Sequence, residues 1–142
     1  MAPTHVLVPL DGSPLSDEAL GHALETFDCR VTVLNVVTPV DASMSEGGVI
    51  EAGEDRVEAA RERAEALVGR ARDRAAADRV VDTAVRTGDP AETILEFVDA
   101  GDVDHVVMGG HGGERTDLAR RLLGTVATTV VGEAPVTVTV VR

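Results

Sequence analysis

The chain has no lysine, no tryptophan and no tyrosine, and its 142 residues include two phenylalanines and a single cysteine. Each shortage excludes something. Without lysine there is no Gly-Lys-Ser/Thr step, so a Walker phosphate loop is ruled out. Phe27 and Phe97 are the whole aromatic content, which leaves no platform for stacking single-stranded nucleic acid and requires an aliphatic core. Cys29 alone excludes an internal disulfide and a cysteine metal cluster, and at the edge of a predicted strand it reads as inert buried packing. No apolar run approaches the roughly 20 residues that span a bilayer. The opening Met1-Ala2-Pro3-Thr4-His5 lacks the basic and apolar regions of a secretory signal, so a soluble, cytoplasmic protein is expected.

What the chain does carry is acid. Twenty-five Asp and Glu face 13 basic residues, all arginine, for a net charge of −12. Such a surface repels nucleic acid and anionic membrane, so neither is expected as a partner. It also resembles the composition of proteins from a high-salt cytoplasm, where dissolved ions screen the self-repulsion. With 44% hydrophobic residues, the length suits one domain spanning residues 1–142.

Short apolar runs alternate with helical patterns. His5 to Leu10 reads as a buried strand, and Ser13 and Pro14 supply a cap and a first helical residue for the helix bearing Leu20, Ala23, Leu24 and Phe27. Arg30 to Val37 is a second strand, followed by a Gly- and Pro-bearing connection from Thr38 to about Gly53. From about Glu54 to Ala77, Val57, Ala60, Ala64, Leu67, Val68, Ala71 and Ala75 make one helix face. Arg79 to Thr87 is a third strand. Asp89, Pro90 and Glu92 then form a capping signal for a helix that Gly101 stops. Val103 to Met108 is a fourth strand, Thr125 to about Val131 a short helix, and Pro135 to Val141 a fifth strand. This alternation argues for an α/β protein with a parallel sheet and ligands beyond the carboxyl ends of its strands.

The fourth strand opens into Gly109-Gly110-His111-Gly112-Gly113, and Gly124-Thr125 follows at the start of the next helix. Glycines allow close backbone approach to an anion, and a helix start offers unpaired N–H groups, so the segment is a candidate phosphate cradle. The dinucleotide fingerprint fails here at its last glycine, and Gly12-Ser13-Pro14 is no nucleophile elbow. Ser13 reads as a helix cap. Asp11 reads either as a site residue or as the cap of the first turn, and His111 either as a site residue or as an exposed loop residue.

Taken in order, Val6-Leu7-Val8-Pro9-Leu10-Asp11-Gly12-Ser13, Leu34-Asn35-Val36-Val37, Gly88-Asp89-Pro90-Ala91-Glu92-Thr93-Ile94, Met108-Gly109-Gly110-His111-Gly112 and Leu122-Leu123-Gly124-Thr125-Val126 resemble the universal stress protein family, together with Ala134-Pro135-Val136. The resemblance implies an open five-stranded parallel sheet of order 3-2-1-4-5 with helices on both faces, of the adenine nucleotide alpha hydrolase-like type. It implies a stress-response or signalling protein that binds ATP, with Mg or Mn held by the phosphates. Carried over residue by residue, Pro9, Leu10 and Asp11 would form the nucleoside wall, and Val36 would meet adenine through its backbone. Gly109, His111 and Gly112 would lie against ribose and phosphate, Met108 would be a further nucleotide-binding residue, and Gly124, Thr125 and Val126 would present N–H groups to the phosphate chain. The interval between Gly112 and Gly124 is two residues longer than the family's pattern, accounted for by Gly113-Glu114. An interaction module without nucleotide, or a slow ATP hydrolase, are the alternatives. Glutamate at Gly109 or Gly124 is expected to fill the cradle while leaving the fold near intact. The resemblance also implies a homodimer paired through the C-terminal strand, where Val136, Val138 and Val140 alternate with Thr137 and Thr139.

Overall fold

The structure is a computed structural model that describes residues 2–38, 53–75, 79–111 and 123–142, with 53–57 described by backbone alone. Five strands, β1 (His5–Pro9), β2 (Arg30–Val37), β3 (Val81–Thr87), β4 (His105–Gly109) and β5 (Thr137–Val141), form one sheet in the order β3-β2-β1-β4-β5. Every neighbouring pair is parallel. The described helices are α1 (Pro14–Thr26), α2 (Gly53–Arg74), α3 (Pro90–Ala100) and α4 (Thr125–Glu133). The expected sheet, its order and its flanking helices are all present. Strand ends differ by one or two residues: β3 and β5 begin two residues later than their apolar runs, and β4 begins at His105 rather than Val103.

The sheet is buried on both faces, as a parallel sheet requires. Val6, Val8, Val31, Val33 and Val107 pack on one face against Ala19, Leu20 and Ala23 of α1 and Val68 and Ala71 of α2. Leu7, Leu34, Val106 and Met108 pack on the other against Ile94 and Val98 of α3 and Ala127 and Val130 of α4. Period-two alternation along β1 thus assigns its residues to two separate aliphatic layers. Cys29 is partly rather than fully buried and packs on the first layer; burial pushes its thiol pKa up, consistent with an inert side chain.

Helix starts follow the sequence signals. Ser13 caps α1 by accepting the Ser16 N–H at 3.3 Å, and Asp89 caps α3 by accepting the Glu92 N–H at 3.0 Å. The last turn of α1 has no basic residue of its own. Arg79 supplies the charge from a distance, donating to the carbonyls of Leu24 at 2.6 Å and Cys29 at 3.3 Å.

At the amino ends of the strands, Asp104 clamps the chain. Its carboxylate accepts from the Thr4 N–H at 2.9 Å, the Thr4 hydroxyl at 3.0 Å and the His5 N–H at 3.2 Å. Burial opposes ionisation of this group, but the Thr4 and His5 donors prevail and hold its pKa below the usual carboxylate value. His5 is buried, with Nε2 2.6 Å from Thr32 Oγ1 and Nδ1 without a partner. His105 sets Nε2 2.8 Å from Thr139 Oγ1 and tilts its ring against Phe27 at 4.9 Å. Burial lowers the pKa of both histidines, with Arg30 adding to the effect at His5 and His22 at His105.

The fold therefore favours the neutral form of both imidazoles, while the unfolded chain takes up protons near pH 6.5. The unfolded state binds more protons below that value, so this contribution is complete above it and lost as pH falls. We expect the melting temperature to drop between pH 7 and pH 5, and to drop less in the double variant His5→Gln, His105→Gln. Equal losses in both proteins would remove these histidines from the account.

Candidate functional site

Chain order runs outward from β1 to β2 and β3, then returns to β4 on the other side of β1. At such a reversal the loops leave in opposite directions and a crevice opens beyond the carboxyl ends of the strands. A cavity of about 260 Å³ lies there. Pro9, Leu10 and Asp11 enter it from the end of β1, Val36 from β2, Met108, Gly109 and His111 from β4, and Gly124, Thr125 and Val126 from the start of α4. Of the eleven residues singled out from the sequence, ten line this one cavity. Gly112 lies outside the described residues, as do Gly113, Glu114, Arg115, Arg120 and Arg121.

Short hydrogen bonds fix the rim. The Leu10 N–H donates to the Leu34 carbonyl at 2.8 Å, and the Asn35 side-chain amide returns a bond to the Leu10 carbonyl at 2.6 Å. The chain then turns through Gly12, whose φ of +84° is the left-handed region that favours glycine. Asp11 Oδ1 accepts the Ser13 N–H at 2.8 Å. Asp11 thus closes the first turn, and its exposed carboxylate borders the cavity. His111 is half-buried at the rim rather than an exposed loop residue.

Gly110 joins three elements. Its N–H donates to the Val141 carbonyl of β5 at 2.7 Å, and its carbonyl accepts the Gly124 N–H at 2.6 Å. The second bond seats the start of α4 beside the end of β4. Gly124 is the residue preceding that helix, and among the described residues no side chain caps it, in contrast to α1 and α3. Thr125 is thus not the cap: its carbonyl accepts the Thr129 hydroxyl at 3.0 Å, and its own side chain lies exposed at the cavity. A helix start with no capping side chain leaves its first N–H groups and its positive dipole end available to an anion.

The two glycines of the cradle do different work. A Cβ on Gly109 would lie 2.9 Å from Leu15 Cβ and 3.0 Å from the Leu15 carbonyl carbon. Its lack of a side chain serves the seating of α1 on β4, not the approach of a ligand. The expectation that glutamate at Gly109 spares the fold is therefore corrected: any side chain there forces the helix away. At Gly124 a Cβ would meet His111 Cα at 3.2 Å, a contact that small shifts can absorb.

The cavity also includes residues that the sequence reading did not assign to it. Leu34, Ile94 and Ala127 continue the apolar wall, Pro90 comes from the start of α3, and Ser13, Ser16 and Thr38 add hydroxyls. Ser16 is buried, donating to the Ser13 carbonyl at 2.9 Å. Ser13 and Ile94 carried a sequence signal, as cap and core residue respectively, but neither signal points to a cavity. Among the described residues, no group of three or more His, Cys, Asp or Glu is placed to hold a metal ion.

Comparison with known proteins bears on this arrangement. The model of the universal stress protein family matches residues 3–142. A universal stress protein of Methanocaldococcus jannaschii is 33% identical, over 96% of this chain and 81% of its own. The chain belongs to the universal stress protein family. Among solved structures, universal stress protein UspA from Lactobacillus plantarum superposes with a TM-score of 0.79 at 22% identity, covering 100% of this chain and 99% of that one. A universal stress protein family protein from Arabidopsis thaliana, solved with AMP bound, superposes with a TM-score of 0.65 at 21% identity over 98% of this chain and 91% of that one. The membership accounts for the sheet order and for a crevice between β1 and β4. Among the described residues, no helix is long and apolar enough to cross a membrane.

Gly109→Ala is expected to cost about 1–3 kcal/mol, the usual range for overpacking a close contact, in urea unfolding without added ligand. An unchanged midpoint would show that α1 yields freely at this point.

Proposed function

We propose that the cavity binds an adenine nucleotide, with ATP as the preferred ligand and Mg or Mn carried by its phosphates. The observation that carries this reading is the start of α4, which opens uncapped onto an otherwise largely apolar cavity. Apolar walls suit a base, and the free N–H groups at the helix start suit phosphate. In this reading Leu10, Val36 and Met108 bound the base, Asp11 contacts the ribose, and Gly124, Thr125 and Val126 present N–H groups to phosphate, with Gly109, His111 and Gly112 beside them. The AMP held by the Arabidopsis protein supports the choice of ligand. The role is stress response or signalling in the cytoplasm, and the acid excess of the chain supports a high-salt interior.

Of two rivals, one has specific support. The lengthened interval before Gly124 favours an interaction module that has lost its nucleotide. A slow hydrolase would have to use Asp11 or His111 for proton transfer, and Asp11 is already engaged by Ser13. Calorimetric titration of ATP into the protein at high salt distinguishes the three. Binding should appear, should weaken about 10- to 100-fold in Gly124→Glu, and should leave phosphate release undetectable over hours. No heat and no melting shift at millimolar ATP would leave the interaction module; steady phosphate release would make the protein an enzyme.

We further propose a homodimer through β5. The Val141 carbonyl is bonded to Gly110 just past the end of β4, so alternate residues, Val138 and Val140, turn their backbone groups to the outer edge. An outward row of this kind with no lysine or internal proline is open to another strand. Light scattering in molar salt should give a dimer mass. Val138→Pro removes an outward N–H without breaking the bonds to β4, and should give a monomer. A wild-type monomer, or a dimer that survives the proline, would place the seam elsewhere.

A further inference from the structure

The other edge of the sheet is β3, and it is flanked by arginine. In a chain of net charge −12, a groove of about 390 Å³ along this edge is lined by Arg61, Arg72 and Arg86, with Glu65 the acid among its lining residues. The one ion pair among the described residues joins Arg30 to Asp82, so the carboxylate on β3 is already neutralised, and no described carboxylate lies within 4.0 Å of Arg61, Arg72 or Arg86. Two of the three guanidinium groups are held in place. Arg72 donates to the Thr83 hydroxyl at 2.5 Å. Arg86 donates to the Val85 carbonyl at 3.1 Å and lies 5.6 Å from the centre of the Phe97 ring.

These two arginines sit on opposite faces of the sheet. Val85 packs on the layer of α1 and α2, where Arg72 meets its neighbour Thr83. Ala84 packs on the layer of α3, where Arg86 covers Phe97. Between them runs the backbone of β3. The Val80 carbonyl and the Gly88 N–H both bond to β2, so the even positions face inward. Val81, Thr83, Val85 and Thr87 then direct their N–H and C=O groups outward. Immediately before the strand stands Val80, 62% exposed and one of two large exposed apolar residues among those described.

We propose that the outer edge of β3 is a docking strand for an extended, acidic segment of a partner protein. The segment adds to the sheet as a further strand, and its alternating side chains set carboxylates against Arg72 on one face and Arg86 on the other. The two-faced placement of charge decides the occupant. A phosphate-sized anion reaches one face at a time, whereas an added strand reaches both. A second copy of this chain is a poor occupant, because β3 against β3 opposes like arginines and Thr137–Val141 of β5 carries no acid. Nucleic acid lacks the strand backbone and meets the net negative charge.

The test uses a blocked, fluorescently labelled peptide about eight residues long, in which pairs of adjacent glutamates alternate with pairs of valines so that carboxylates fall on both faces of an added strand, and its lysine counterpart. Anisotropy near physiological salt should show the glutamate peptide binding and the lysine peptide binding more weakly, the reverse of what a net charge of −12 dictates without a local site. Arg72→Glu with Arg86→Glu should weaken the glutamate peptide about tenfold or more and strengthen the lysine peptide. Hydrogen exchange should slow at the Thr83 and Val85 amides when the glutamate peptide is bound to the wild type, a readout that charge attraction alone does not move. The proposal fails if the glutamate peptide does not bind, if the double reversal leaves it unchanged, or if inorganic pyrophosphate displaces it and those amides exchange as before.

Discussion

A methyl group on Gly109 would come within 2.9 Å of Leu15 Cβ, and this lack of room organises much of the molecule. It seats the first turn of α1 on the end of β4 rather than over β1 alone. The turn before it passes through Gly12 at positive φ, is closed by the Asp11–Ser13 bond and leads to the buried Ser16. From the same strand end, Gly110 holds both β5 and the start of α4. Two adjacent glycines thus fix where one helix packs and where another begins. The cavity is what remains between those two placements.

Sequence patterns carried the architecture because parallel sheets write themselves clearly: both faces are apolar, so strands appear as short unbroken runs. Capping chemistry added the helix starts, and Ser13 and Asp89 act as their residue types predict. Strand ends were less legible. Val103 is buried and apolar like a strand residue, yet it precedes β4, whose pairing with β1 begins at His105. Burial and strand pairing are different things, and a hydrophobic pattern reports the first.

The cavity was legible where backbone chemistry marks it. Gly109, His111, Gly124 and Thr125 stand out by glycine content and by their place between a strand and a helix. Ser16, Leu34, Ile94 and Ala127 do not, since each belongs to an ordinary helix or strand pattern and faces the cavity through topology alone. The role of Gly109 was misjudged for a related reason. A glycine signals close approach, and a sequence does not say whether the approaching group is a ligand or a neighbouring helix. Charge behaves similarly: the excess of acid is plain in the composition, whereas the gathering of arginines beside β3 depends on α2 and α3 lying on opposite faces of the sheet.

The start of α4 has a consequence for how the protein responds to its medium. Helices α1 and α3 carry their own caps, so their first turns are stable whatever the solvent holds. In α4 no described side chain fills that role, which leaves it open to the solvent. The order of its first turn therefore depends more on the dissolved ions than that of the capped helices does. Since α4 is followed within four residues by β5, firming that first turn also firms the approach to the edge of the sheet.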